Sequence, residues 1–152
     1  MDSRSSRSLI CRVGGTLCSL PIDSTVETFR PLPTEAIAGA PVFVLGLSIV
    51  HGEPMPVVDL TRLITGLPGR PSRFVVIKTG TRRVALAVDA VVGVREIAAR
   101  QAAGLPPLIE DAGTSAIAAV GALDRELFLV LQAARLVPEG VLDADLGQRR
   151  AS

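Results

Sequence analysis

Cys11 and Cys18 flank the pair Gly14-Gly15, and a single histidine, His51, stands shortly before Asp59. A thiol, an imidazole and a carboxylate are the parts of a nucleophile, its base and an orienting group. They work only if they meet in space, and nothing in the spacing of Cys18, His51 and Asp59 requires that. Cys18 also falls on the apolar phase of an alternating segment. If Gly14-Gly15 is a two-residue turn, Cys11 lies opposite Cys18 across a hairpin. A cross-strand disulfide is then geometrically conceivable, but a cytosolic compartment keeps thiols reduced. Both cysteines read as small core hydrophobes. A metal site needs several convergent ligands, and there is no second histidine, so neither a metal nor another cofactor is expected. His51 reads either as a solvated turn residue or as a partner contact sensitive to pH near about 6.5. Arg70, Arg73, Lys78, Arg82 and Arg83 form a basic stretch uninterrupted by acid. Such a stretch suits acidic partner helices or nucleic acid. It equally suits the solvated face of a hairpin whose charges blunt an edge strand.

Composition narrows these options. With 48% apolar residues among 152, the chain is a folded globular protein that buries one sizeable core or two small ones. Four Phe are its only aromatics, which leaves almost no stacking platforms for bases or sugars. A net charge of +1 gives no general drive toward polyanions or anionic membranes. No apolar run approaches the roughly 18 residues of a membrane-spanning helix. The Ser- and Arg-rich start, Met1 to Ser8, does not read as a secretory signal. A cytoplasmic protein without direct membrane insertion is expected.

The elements that must position these residues repeat themselves. Val13-Gly14-Gly15-Thr16-Leu17-Cys18-Ser19-Leu20-Pro21-Ile22-Asp23 is echoed 66 positions later, from Thr79-Gly80 to Val88-Asp89. Glu53 to Leu63 is echoed 73 positions later by Glu126 to Leu136. A doubled unit with one apolar face is stabilised by packing against its copy. Alternation on both sides of glycine turns predicts hairpins at 9–22, 48–58, 74–88 and 120–131, with strands at 25–30 and 91–97. Pro54 and Pro56 suggest an edge strand. Ala40 to Gly46 suits one helical turn, and Asp59 suits an N-cap for a helix from Leu60 to Thr65 ended by Gly66. Residues 98–119 read as irregular, 132–136 as a helical turn and 139–145 as a terminal helix. The fold class is all-β: two SH3-like β-barrel subdomains around a shared apolar core, with short helical turns.

The run Gly46-Leu47-Ser48-Ile49-Val50-His51-Gly52-Glu53-Pro54-Met55-Pro56-Val57-Val58-Asp59-Leu60 resembles the signature of the CheW-like domain. Leu20-Pro21-Ile22 leading to Val26-Glu27 also resembles it, as do Ala40-Pro41, Arg83 to Asp89, and Val120-Gly121-Ala122-Leu123, all in the family's order. The resemblance implies one domain over 9–137, with subdomains at about 12–66 and 73–131, segments 9–11 and 132–146 packing across, and flexible tails at 1–8 and 147–152. It also implies a non-catalytic adaptor joining the cytoplasmic tips of chemoreceptors to the regulatory domain of a histidine autokinase, recruited to membrane-embedded arrays. An apolar groove would accept the receptor tip, and a separate end surface would meet a homologous barrel on the kinase. Partner contacts would then fall among Val26, Glu27, Arg30, Ile49, His51, Glu53, Arg62, Val84 and Leu86. Gly14, Gly46, Gly52, Asp59, Gly80 and Asp89 would be structural. The family commonly carries Asn and Arg where this chain has Ile49 and His51, and Arg where it has Thr61. Arg makes forked, permanently charged hydrogen bonds that His cannot copy. An adaptor dedicated to one auxiliary array is therefore expected. A nucleic-acid-binding barrel using Arg70 to Arg83 is the second reading, and a small thiol hydrolase using Cys18 a more distant one.

Overall fold

The computed structural model describes residues 5–98, 102–104, 117–123 and 126–131, with side chains described over 7–96. Period-two patterning produces hairpins wherever a glycine pair or short polar turn interrupts it. β1 (Ser5–Val13) and β2 (Thr16–Pro21) form the first, and a 3-10 turn (Ile22–Ser24) leads to β3 (Thr25–Phe29). β4 (Val44–Val50) and β5 (Glu53–Asp59) form the second, followed by α1 (Leu60–Thr65). β6 (Arg73–Thr79) and β7 (Arg82–Val88) form the third, and β8 (Ala90–Ala98) follows. β9 (Ala102–Gly104), β10 (Ile117–Leu123) and β11 (Glu126–Leu131) complete the described strands. Among the described residues no helix is long and apolar enough to cross a membrane.

The strands form two sheets, ordered β3-β6-β7-β5-β4 and β8-β1-β2-β11-β10-β9. These orders are the same order written in the two copies of the repeat. Val57 stands opposite Ala85 in the parallel pair β5/β7, and the second copy places Val130 opposite Ser19 in β11/β2. Cys11 faces Cys18 as Ile77 faces Val84. Bulges repeat too, skipping Val26 and Val92 at matching places, then Leu45 and Ala118. The echo in sequence is therefore an echo in strand order and register, with the hairpins exchanged. β1–β2 sits in the sheet of the second half, and β6–β7 in the sheet of the first.

That exchange does not follow the expected division at 12–66 and 73–131. The reason lies in the exchanged hairpins, which are apolar on both faces. Phe74, Val76, Ala85 and Ala87 pack with Val50, Met55 and Val57 inside the first barrel. Val75, Ile77, Val84, Leu86 and Val88 pack against Leu9, Cys11, Val13, Cys18 and Leu20 of the other sheet. A hairpin that buries both faces belongs in the middle of a covered sheet, so each copy lends its most apolar hairpin to the other. The shared core is the second of these clusters.

Four local expectations change. Ala40 to Gly46 is not a helical turn: Pro41 to Val44 makes one β-turn, closed by the Val44 N–H to the Pro41 carbonyl at 2.9 Å, and Gly46 lies within β4. Only Gly fits there, because a Cβ would stand 2.0 Å from the Glu35 carbonyl oxygen, with φ at +139°. β5 is an inner strand and not an edge. Pro54 and Pro56 are tolerated because their missing donors face away from β4, on the side that β7 joins only from Val57. Ser5 to Ser8, expected in a flexible tail, pair with Arg95 to Ala98 of β8. Within the stretch read as irregular, β9 pairs with β10. The helical turn expected at 132–136 and the helix at 139–145 lie outside the described residues, as do the tail at 147–152 and the segment 132–146.

Candidate partner-binding surface

The residues with chemical potential are separated. Cys11 and Cys18 are free, opposed across β1–β2 and fully buried, and desolvation pushes both thiols up to about 12. A thiol held that high is scarcely a nucleophile at neutral pH. Asp59 is committed to helix geometry. One carboxylate oxygen accepts the Arg62 N–H at 3.2 Å, as an N-cap does, and the other accepts the Gly69 N–H at 3.1 Å. Gly66 ends α1 in the left-handed conformation. His51 stands exposed at the β4–β5 turn, where it and Gly52 both take positive φ, +52° and +81°. The three groups imagined as a catalytic set thus have different partners.

His51 does have a partner. Its Nε2 lies 3.0 and 2.9 Å from the two carboxylate oxygens of Glu27 on β3. A carboxylate only accepts, so Nε2 carries the hydrogen. β3 and β4 are the terminal strands of the five-stranded sheet, so this contact links the strand at one edge to the turn that follows the strand at the other.

The ladders gather further residues at the same barrel end. β5 and β7 are parallel, so both begin there, at Glu53 and Arg82. β6 ends there and β3 starts there, because Thr25 pairs with Ile77. β4 arrives through Ile49 and Val50. Two apolar side chains face water at this end, Val26 at 38% and Ile49 at 58% exposure. Glu27, Glu53, Lys78 and Arg83 bring charge to the same end, together with His51.

Four of the expected contact residues lie elsewhere. Arg30 follows the far end of β3, and Arg62 is on α1 beyond the far end of β5. Val84 and Leu86 are fully buried in the shared core; their alternation marks the face of β7 turned toward the other sheet, and neither is available to a partner. The basic stretch is also divided. Arg70 and Arg73 lie at one end of the β6–β7 hairpin and Lys78, Arg82 and Arg83 at the other, about 20 Å away along a seven-residue strand.

Asp89 is a second organising carboxylate. Its Oδ2 accepts the Gly14 N–H at 2.6 Å, and its Oδ1 accepts the Thr61 hydroxyl at 3.2 Å and the Arg70 N–H at 2.9 Å. The β1–β2 turn, α1 and the connector to β6 are thereby tied to the end of β7. Thr61 is buried, with its hydroxyl donating to Asp89. Gly80 takes the same left-handed turn position as Gly14, with φ of +65° and +62°. Sequence reasoning did not single out Val92 and Val94, which are exposed on β8. The 66-residue offset carried the signal, since it sets Val92 against Val26.

A model of the CheW-like domain matches residues 7–140. The chain is similar to Protein FrzA of Myxococcus xanthus, 28% identical over 100 residues; the match spans 63% of this chain and 62% of FrzA, less than two thirds of that relative. Among solved structures it is similar in fold to the scaffolding protein TtCheW from Thermoanaerobacter tengcongensis, with TM-score 0.76 and 21% identity, over 88% of this chain and 92% of that one. With a doubled all-β fold and a family match along nearly its whole length, the chain belongs to the CheW-like domain family.

Proposed function

We propose that this protein is a non-catalytic chemosensory adaptor that couples the cytoplasmic tips of chemoreceptors to the regulatory domain of a histidine kinase. It acts in the cytoplasm, recruited to receptor arrays, and uses the barrel end around Val26, Glu27, Ile49, His51 and Glu53 as a protein-docking surface. The observation that carries the reading is the exposure of two apolar side chains, Val26 and Ile49, at one barrel end that also carries Glu27, His51, Glu53, Lys78 and Arg83. An apolar centre with a polar rim is the arrangement of a protein interface. Modest affinity at each contact suffices, because an array multiplies contacts. His51 and Ile49 stand on this surface where the family commonly carries Arg and Asn, which fits an adaptor dedicated to one array.

The test uses the purified CheW-like regulatory domain of each histidine kinase encoded by the same organism, with binding followed by titration calorimetry. One of these domains should bind, and Ile49→Asp should abolish binding without unfolding the adaptor. Absence of binding to every such domain would refute the reading.

A further inference from the structure

Resting on the adaptor reading, we infer that Lys78 and Arg83 form a cationic pair that selects the partner at this barrel end, by docking against carboxylates on a protein surface. The two residues are direct cross-strand partners, next to the pair Thr79–Arg82 that closes the β6–β7 hairpin. In such a hairpin the closing pair is hydrogen-bonded and the next pair is not, and non-hydrogen-bonded pairs bring their side chains closest. Like charges directly opposite one another oppose folding. Both side chains are exposed, and among the described residues neither is held by a carboxylate. A local arrangement that opposes folding without compensation among the described residues is expected where function requires it.

Alternation fixes where the charges point. Lys78 shares a strand face with Phe74 and Val76, and Arg83 with Ala85 and Ala87, all four of which line the barrel interior. The pair therefore crowns the mouth of the barrel at the end where Val26 and Ile49 are exposed. The acids Glu27 and Glu53 share that end. A rim of mixed sign disfavours a uniform polyanion such as nucleic acid and suits a protein whose charges alternate in the complementary pattern. Rim charges of this kind set association rate, salt dependence and partner choice.

The experiment titrates the kinase regulatory domain with wild type, Lys78→Glu, Lys78→Glu/Arg83→Glu and Ile49→Asp, at about 50 mM and about 500 mM salt. Lys78→Glu turns a repulsive cross-strand pair into an attractive one, so its thermal midpoint should rise while its affinity falls. The double variant should bind at least tenfold more weakly at low salt, with most of the wild-type salt dependence gone. If Ile49→Asp abolishes binding while the double variant stays within twofold of wild type, the cationic pair has no such role and the docking surface stands. If neither substitution matters, or no regulatory domain binds the wild type, the docking surface and the pair fall together.

Discussion

Asp89→Ala should loosen three segments at once, and its cost can be worked from the bonds removed. The carboxylate accepts from the Gly14 N–H, the Arg70 N–H and the Thr61 hydroxyl. Hydrogen bonds to a charged group contribute about 1.5–3 kcal/mol when sheltered and nearer 0.5–1.5 kcal/mol where water competes. The two backbone donors are at the surface and the Thr61 bond is partly sheltered, so the expected loss is about 2–4 kcal/mol. At this chain length that corresponds to a thermal midpoint lower by roughly 10 °C. Asp89→Asn is the informative companion. Its amide oxygen can still serve Thr61 and Arg70, which share Oδ1, but its NH2 would face the Gly14 N–H, two donors meeting. About half the loss of the alanine variant is expected. The protein has no Trp or Tyr, so urea unfolding is best followed by far-UV circular dichroism, with amide exchange at Gly14 and Arg70 measured by NMR. A loss below about 0.5 kcal/mol for Asp89→Ala, or unchanged exchange at both amides, would refute the clasp.

Leu86→Ala should cost about 3–5 kcal/mol by opening a cavity in the shared core, with partner affinity of the folded fraction unchanged in the calorimetric assay; selective loss of affinity at full stability would put Leu86 at the surface instead. Gly46→Ala drives a methyl group into the Glu35 carbonyl and should exceed the ~0.5–3 kcal/mol of ordinary substitutions; a soluble variant with an unshifted melting curve would be incompatible with the β4 bulge as described. The buried thiols carry a pH dependence of definite sign. Burial raises them from 9.0 to about 12 in the native state, so their contribution to stability is complete below pH 9 and is lost between pH 9 and about 12, because the unfolded chain releases those protons first. The decline reaches about 1.4 kcal/mol per pH unit for each thiol. Urea midpoints across that range should fall more steeply for wild type than for Cys11→Ala/Cys18→Ala, and parallel curves would count against it.

The local elements were readable because their causes are local. Gly14-Gly15, His51-Gly52 and Gly80-Thr81 sit between alternating segments, and each makes the turn that joins its strands. Asp59 before Leu60-Thr61-Arg62, with Gly66 after, specifies a short capped helix by side-chain chemistry alone. The surface was harder to read. Val84 and Leu86 look like contact residues to the eye that sees only their place in a family motif, but an apolar run buried on both faces gives no sign of which neighbour covers each face. Val26 and Ile49 alternate like core residues too, and bulges and strand ends turn them outward. The likeness to the CheW-like domain came from motif order, which is a linear property.

What the linear chain determined by itself is a doubled set of hairpins, one capped helix and the family, since turns, caps and periodicity act within a few residues of their cause. The tertiary structure alone decided that each half lends its central hairpin to the other sheet. It also decided that Glu27 and His51, 24 positions apart, meet across the two edges of one sheet, and that Lys78 and Arg83 stand opposite each other at the end of that sheet where Ile49 is exposed. Those outcomes depend on which apolar faces find one another. Burial is non-directional and rewards any covering partner, so only the assembled sheets could show which partners were chosen.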